Sequence, residues 1–187
     1  SESNCFILRS VVESYKKHTN KKPHIITSST EHKSIIKCCN SLVYNSRADI
    51  TYIEPNAYGN ISPDLIEKAI KPNTALITIM IANNELGCIN DVKKIGKIAR
   101  KHDIPFHTDA VQLFGKYKIP ITKSKIDALS MSFHKLHGPV GIGMIIINND
   151  LINGYDLKGQ ISGAQQYELR GGEENIPAIA ASISCME

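Results

Sequence analysis

Four apolar stretches of this sequence each run into a polar cluster. Thr30-Glu31-His32 follows Ile25-Ile26, and Asn83-Asn84-Glu85 follows the run 75–81. His107-Thr108-Asp109 follows 104–106, and Ser132-Phe133-His134-Lys135 follows 128–131. If the apolar runs are strands of one parallel sheet, the clusters meet at a single edge, where such sheets bind ligands. Together the residue types have a chemical meaning. A lysine amine forms a Schiff base with an aldehyde. A carboxylate facing a pyridine nitrogen keeps it protonated and makes the ring an electron sink. Serine and histidine donors hold a phosphate, a histidine ring stacks on an aromatic cofactor, and asparagine or glutamine bonds ring substituents. Each residue alone has a plainer reading: the aspartate as a helix cap, the histidines and the lysine as surface groups. The combination carries the inference.

The elements that must position these residues follow from periodicity. Phe6, Ile7, Val11 and Tyr15 recur at helical spacing over 3–18, and Ile35, Ile36, Cys39 and Leu42 over 31–43. Pro63 suits the first turn of a helix over 62–70. Over 91–102, Asp91 at the start and Lys101-His102 at the end match the helix dipole. Strands are expected at 24–27, 50–53, 75–81, 104–107, 128–132 and 143–147. The near-continuous apolar run at 75–81 fits a strand buried on both faces. Residues 149–172 read as a long polar loop or lobe, and a last helix begins near Pro177. Alternation of this kind predicts an α/β fold, a mostly parallel sheet flanked by helices. The Gly-rich stretch 138–143 contains GxG but does not open a helix after a strand, so it reads as a tight turn rather than a nucleotide loop.

Composition removes several function classes. The 187 residues suffice for one domain with a substantial core. A net charge of +4, from 22 basic and 18 acidic residues spread along the chain, reads as a solvated surface. With no Trp to stack bases, no nucleic-acid partner is expected. No apolar run approaches the ~20 residues of a membrane span, so no membrane association is expected. The polar, acidic start, Ser1-Glu2-Ser3-Asn4, is unlike a signal peptide. Five cysteines without CxxC spacing argue against a zinc site or disulfide framework, so no metal and a reducing cytoplasmic setting are expected.

The chain resembles the NifS-type cysteine desulfurases, PLP-dependent (pyridoxal 5'-phosphate) enzymes of the class-V aminotransferase family with fold type I. The resemblance rests on Ser1-Glu2-Ser3-Asn4, Thr30-Glu31-His32-Lys33, Asn83-Asn84-Glu85-Leu86-Gly87, His107-Thr108-Asp109-Ala110-Val111-Gln112, Ser132-Phe133-His134-Lys135-Leu136-His137-Gly138-Pro139 and Leu169-Arg170-Gly171-Gly172-Glu173-Glu174-Asn175, in family order. It implies Lys135 as the Schiff-base lysine and proton shuttle. It implies Asp109 as the partner of the pyridinium nitrogen and His32 as the stacked histidine, with a part in catalysis. Asn84 and Gln112 become contacts to the ring and its hydroxyl, Ser132 and His134 phosphate ligands. Ser1 takes the place of a phosphate-binding Thr at a helix N-terminus.

Besides Ser1, the chain departs from the family over Ser162-Gly163-Ala164-Gln165-Gln166 and at Phe133 and Glu173. Phe133 replaces a Gly beside the lysine, where a bulky ring is expected to crowd the site. Glu173 replaces a Thr that bonds the phosphate of a neighbouring subunit, where a carboxylate would repel it. The resemblance implies that 1–187 is one PLP-binding large domain, incomplete at both ends, without the C-terminal small domain. The expected reaction converts L-cysteine to L-alanine, with sulfur passing to an enzyme cysteine outside this chain. Cys185, in a helical Ala/Ile/Ser context, is not expected to be that cysteine, and the chain alone is not expected to turn over. A homodimer is implied, with a sulfur-acceptor or scaffold protein as a further partner. Two alternatives stay open: a selenocysteine lyase or other class-V PLP enzyme, and a non-catalytic NifS-like scaffold.

Overall fold

A computed structural model describes residues 1–118 and 121–186. The strands are β1 (His24–Ser28), β2 (Asp49–Ile53), β3 (Thr74–Thr78), β4 (Phe106–Asp109), β5 (Ala128–Ser132) and β6 (Gly143–Ile147). They form one sheet in the order β2-β1-β3-β4-β5-β6. The first five strands are parallel, and β6 pairs antiparallel with β5 at one edge. The helices are α1 (Glu2–Thr19), α2 (Lys33–Tyr44), α3 (Pro63–Lys68), α4 (Val92–Lys101), α5 (Asn149–Tyr155) and α6 (Ile176–Ile183). This is the expected α/β architecture.

Alternation along the strands sorts the core into two layers. Ile26, Ile77, Phe106 and Leu129 pack on one face with Ile66 of α3 and Ile95 of α4. Their neighbours Ile25, Leu76 and Ala128 pack on the other with Ile7 and Val11 of α1, Ile35 of α2 and Leu151 of α5. Successive side chains of a strand point to opposite faces, so β1 and β3, buried on both, are apolar at their centres (Ile25-Ile26 and Ala75-Leu76-Ile77) with polar residues toward their ends. All five residues of each are buried.

Three boundaries differ from expectation. The helix expected from 31 begins at Lys33, because His32 caps it by accepting the Ser34 backbone N–H. Expected strand 104–107 runs instead over Phe106–Asp109, so Asp109 ends the strand rather than following it. The expected loop at 149 holds α5, capped by the Asn148 side chain and anchored by buried Leu151. Its Asn and Gly content hid one helical turn of apolar spacing. The remainder of 156–172 has only a short 3-10 turn at Gln166–Glu168. Pairing of β3 with β4 continues past Thr78, as the backbone N–H groups of Ile79 and Ile81 donate to His107 and Asp109. Among the described residues, no helix is long and apolar enough to cross a membrane.

Gly96 shows how tightly α4 is docked. A Cβ there would overlap the backbone carbonyl of Ser124. Gly96→Ala is expected to cost about 2–4 kcal/mol, because backbone must move to admit a methyl group. Denaturant unfolding of the two proteins measures this; a change under 0.5 kcal/mol would show that α4 shifts freely.

Candidate cofactor site

Asp109 sits at the carboxyl end of β4, 4% exposed. One carboxylate oxygen accepts the Asn4 side-chain amide at 2.7 Å, and the other accepts the Val111 backbone N–H at 3.0 Å. Asn4 lies in the first turn of α1 and is itself 1% exposed. A buried carboxylate held on both oxygens keeps a fixed direction. Two residues back, on the same side of the strand, His107 bridges the neighbouring strands. Its Nδ1 bonds Thr78 Oγ1 at 2.8 Å and its Nε2 bonds Ser130 Oγ at 2.9 Å. Burial holds this imidazole well below the usual histidine range, against the opposing pull of the Asp109 charge.

The Asn4 amide also donates to Ser34 Oγ at 3.0 Å, and Ser34 Oγ lies 2.8 Å from His32 Nδ1. A continuous hydrogen-bonded path therefore runs from Asp109 through Asn4 and Ser34 to His32. His32 Nδ1 accepts from the Ser34 backbone at 3.2 Å, so in the neutral ring the proton sits on Nε2, away from the helix cap. His32 is exposed while its anchor is buried. Sequence reasoning found His32 and Asp109 but assigned no role to Asn4 or Ser34. The available signal for Asn4 was its place on the apolar stripe of α1, three and four residues before the buried Ile7 and Leu8.

On the adjacent strand end, Ser132 Oγ lies 2.7 Å from His134 Nδ1. The structure thus pairs these two expected phosphate ligands. Lys135 follows on a 3-10 turn, Phe133–Leu136, with an exposed side chain in no ion pair among the described residues. Ser1 is the exposed N-cap of α1, and its side chain makes no cap bond. Gln112, half-buried, lies in the turn after Asp109. The side chains of Lys135, Gln112 and Asn84 share no hydrogen bond with the Asp109–His32 path.

The two asparagines after β3 differ in kind. Asn83 is buried: its amide donates to the Thr30 carbonyl at 2.8 Å, and its oxygen accepts the Glu85 and Leu86 backbone N–H groups. Asn83 is thus consumed in holding the loop, which leaves Asn84 exposed. Glu31 performs a similar task. One of its oxygens accepts the Met80 N–H at 2.6 Å and the Ser28 hydroxyl at 3.3 Å, tying the β1 loop to the end of β3. Its other oxygen is buried without a partner. Burial, with a smaller contribution from the Asp109 charge, pushes Glu31 up from 4.5 to about 8. An acid so raised is protonated in the fold, and stability is lost as pH climbs from the unfolded value through the folded one. Between those limits the loss approaches about 1.4 kcal/mol per pH unit. Glu31→Gln is expected to remove this slope and to raise Tm relative to the parent progressively from pH 6 to 9. Parallel melting curves across that range would refute it.

Of the departures from the family, Phe133 directly follows β5 and Glu173 lies just before α6. Phe133 is 4% exposed and belongs to the core layer with Leu129 and Leu136. Glu173 is exposed. The Cys185 thiol donates to the Ser182 carbonyl at 3.0 Å and lies where a Cβ on Gly138 would come within 2.6 Å of it. That is a packed cysteine at a helix end.

The aminotransferase class-V family model matches residues 6–177. The chain is 42% identical over 160 residues to cysteine desulfurase IscS of Methanosarcina thermophila, covering 86% of this chain and 39% of that protein. It is 37% identical over 187 residues to the mitochondrial cysteine desulfurase of Saccharomyces cerevisiae, covering 96% and 35%. Among solved structures, SspA in complex with cysteine superposes with a TM-score of 0.90 at 42% identity, covering 99% of this chain and 52% of that one. A NifS-like protein gives 0.90 at 33% identity, with 99% and 49% covered. The chain therefore spans about half or less of the length of the relatives named. With the family model covering most of the sequence and the strand-end residues arranged on the same fold, the chain belongs to the aminotransferase class-V family.

Proposed function

We propose that this chain is the PLP-binding core of a cysteine desulfurase that converts L-cysteine to L-alanine. The observation that carries this reading is the buried Asp109 carboxylate, fixed on both oxygens and linked through Asn4 and Ser34 to His32. The donor set fits PLP: a held negative charge for the ring nitrogen, the Ser132–His134 pair for the phosphate and a free amine at Lys135. When bound, PLP would supply an aldehyde to capture an amino-acid amine and a ring that absorbs electrons from the substrate α-carbon. Asp109 would hold the proton at the ring nitrogen. Lys135 would anchor the cofactor and carry protons at the substrate α-carbon. His32 would lie over the ring with its Nε2–H outward, available to a leaving sulfur. Ser1 at the α1 N-terminus would join Ser132 and His134 on the phosphate, and Asn84 and Gln112 would bond the ring hydroxyl.

L-Cysteine as substrate is supported by the relatives named above. The sulfur acceptor is proposed to be a cysteine other than Cys185, whose thiol is bonded within the α6 turn. The working unit is proposed to be a homodimer, and the five free cysteines support a reducing compartment such as the cytoplasm. The test is an assay of the intact gene product with PLP. With dithiothreitol present to reduce the enzyme persulfide, alanine and sulfide are expected in equal amounts from L-cysteine. Turnover of selenocysteine alone would transfer the reading to a selenocysteine lyase. No PLP binding would make it a non-catalytic relative.

A further inference from the structure

Beside the His32 end of the site, a shallow cleft between α1 and α2 is lined by Ser1, Cys5, Arg9, His32, Lys33, Ser34, Lys37 and Cys38. Two cysteines from different helices meet there. Both thiols line this cleft, and each shifts the other's ionisation. Cys38 is 3% exposed, whereas Cys5 is half-buried and reaches the cleft. The charged groups facing Cys5 are cationic: Arg9 one turn on along α1, and Lys33 and Lys37 of α2. Its remaining titratable neighbours are His32, Cys38 and Cys39. No carboxylate lines the cleft. The other sulfur contact is a long one, 3.8 Å to the Ser34 carbonyl, which an ionised sulfur releases at little cost.

We propose that Cys5 and Cys38 form a reactive thiol pair, with Cys5 the nucleophile and Cys38 the resolving thiol, whose oxidant is a small hydroperoxide. The proposal is independent of the reaction assigned to the PLP site. Hydrogen bonding from Cys38 lowers Cys5 well below the ordinary thiol range, with Arg9 adding to it against the opposing effect of burial. Hydrogen bonding to Cys5 and burial raise Cys38, so it keeps the proton. A thiolate exposed at a cationic surface next to a second thiol is the setting in which cysteines oxidise reversibly. The Cys5 thiolate attacks the peroxide. An S–O bond forms, the O–O bond breaks, and the alkoxide leaves as alcohol after taking a proton from water. The Cys38 sulfur then attacks the sulfenic sulfur. The S–S bond forms, the S–O bond breaks, and hydroxide leaves as water with the Cys38 proton. Two thiols lose two electrons and one peroxide gains them.

The test uses the folded protein with iodoacetamide and with hydrogen peroxide, read by peptide mass spectrometry. Cys5 alkylation is expected to show a pH midpoint at least about one unit below that of glutathione in the same mixture. Cys38→Ala should raise the midpoint, and Cys38→Ser, which keeps a donor, should restore part of the lowering. One equivalent of peroxide should yield a Cys5–Cys38 disulfide that dithiothreitol reverses. A Cys5 midpoint equal to that of glutathione, or one unmoved by Cys38→Ala, overturns the proposal. So does a stable sulfenic or sulfinic acid at Cys5 with Cys38 still free, or a disulfide to Cys39 instead.

Discussion

Lys135→Ala is expected to abolish covalent capture of PLP and to lower cysteine turnover by about 10^4-fold, the loss expected when a covalent anchor and a proton carrier go together. Incubating the protein with PLP and then borohydride should add one cofactor mass to the peptide containing Lys135, and none in the variant. Lys135 is exposed on a 3-10 turn, so its replacement removes no packing and the fold should melt unchanged. Its neighbours hold that turn without it: Phe133 and Leu136 are buried, and the Gly138 N–H donates to the Phe133 carbonyl at 2.9 Å. The turn therefore leaves Lys135 exposed while its own apolar residues stay in the core. Reduction that labels Lys33 instead, the lysine beside His32, would relocate the anchor to the opposite side of the site. Retention of the parent's visible absorbance in Lys135→Ala would remove the basis for the whole cofactor reading.

The positions of these groups were legible because strands and polar clusters alternate in sequence. A buried parallel strand is apolar at its centre, so its end is marked where polarity returns. That rule located Ser132 at the end of β5, His134 and Lys135 just after it, and Asn84 after β3. It misplaced the end of β4, because His107 and Thr108 are polar yet buried. Their side chains satisfy one another across strands, His107 with Thr78 and Ser130, and Thr108 with the Ile79 carbonyl. Pairing between strands distant in sequence leaves no local signature. The same limit applies to Asn4 and Ser34, whose contacts with Asp109 and with each other span 105 and 30 residues. Phe133 illustrates the reverse case. Its neighbourhood in sequence suggested a ring in the site, but the 3-10 turn points successive side chains in different directions. Phe133 enters the core while Lys135 leaves it.

Asp109→Asn should separate the charge at the ring nitrogen from the shape of the site. The amide is isosteric, and the buried environment has room for the exchange. Asn4 Oδ1 has no partner in the present fold. If the Asn4 amide turns over, that oxygen accepts from the new amide, and the contact between α1 and β4 survives. Stability should therefore change by less than about 1.5 kcal/mol, while the cofactor loses the carboxylate that keeps its nitrogen protonated. Removing one partner of a buried charged pair costs about 3–5 kcal/mol, which corresponds to roughly 10^2–10^4-fold in turnover. Asn4→Ala tests the same interaction from the other side. It leaves the charge but removes one charge-assisted hydrogen bond, about 1.5–3 kcal/mol, and should lower turnover by roughly 10–100-fold. The two variants also differ at His32. In Asp109→Asn the turned Asn4 amide still meets Ser34, whose hydroxyl then donates to Asn4 Oδ1, whereas Asn4→Ala removes that contact. A clamp acting only through Asp109 predicts no further loss when Asn4→Ala is added to Asp109→Asn. A path that also positions His32 predicts an additional loss in the double variant, matched by Ser34→Ala. Equal turnover in the parent and Asp109→Asn would exclude Asp109 as the partner of the ring nitrogen, whatever its place in the fold.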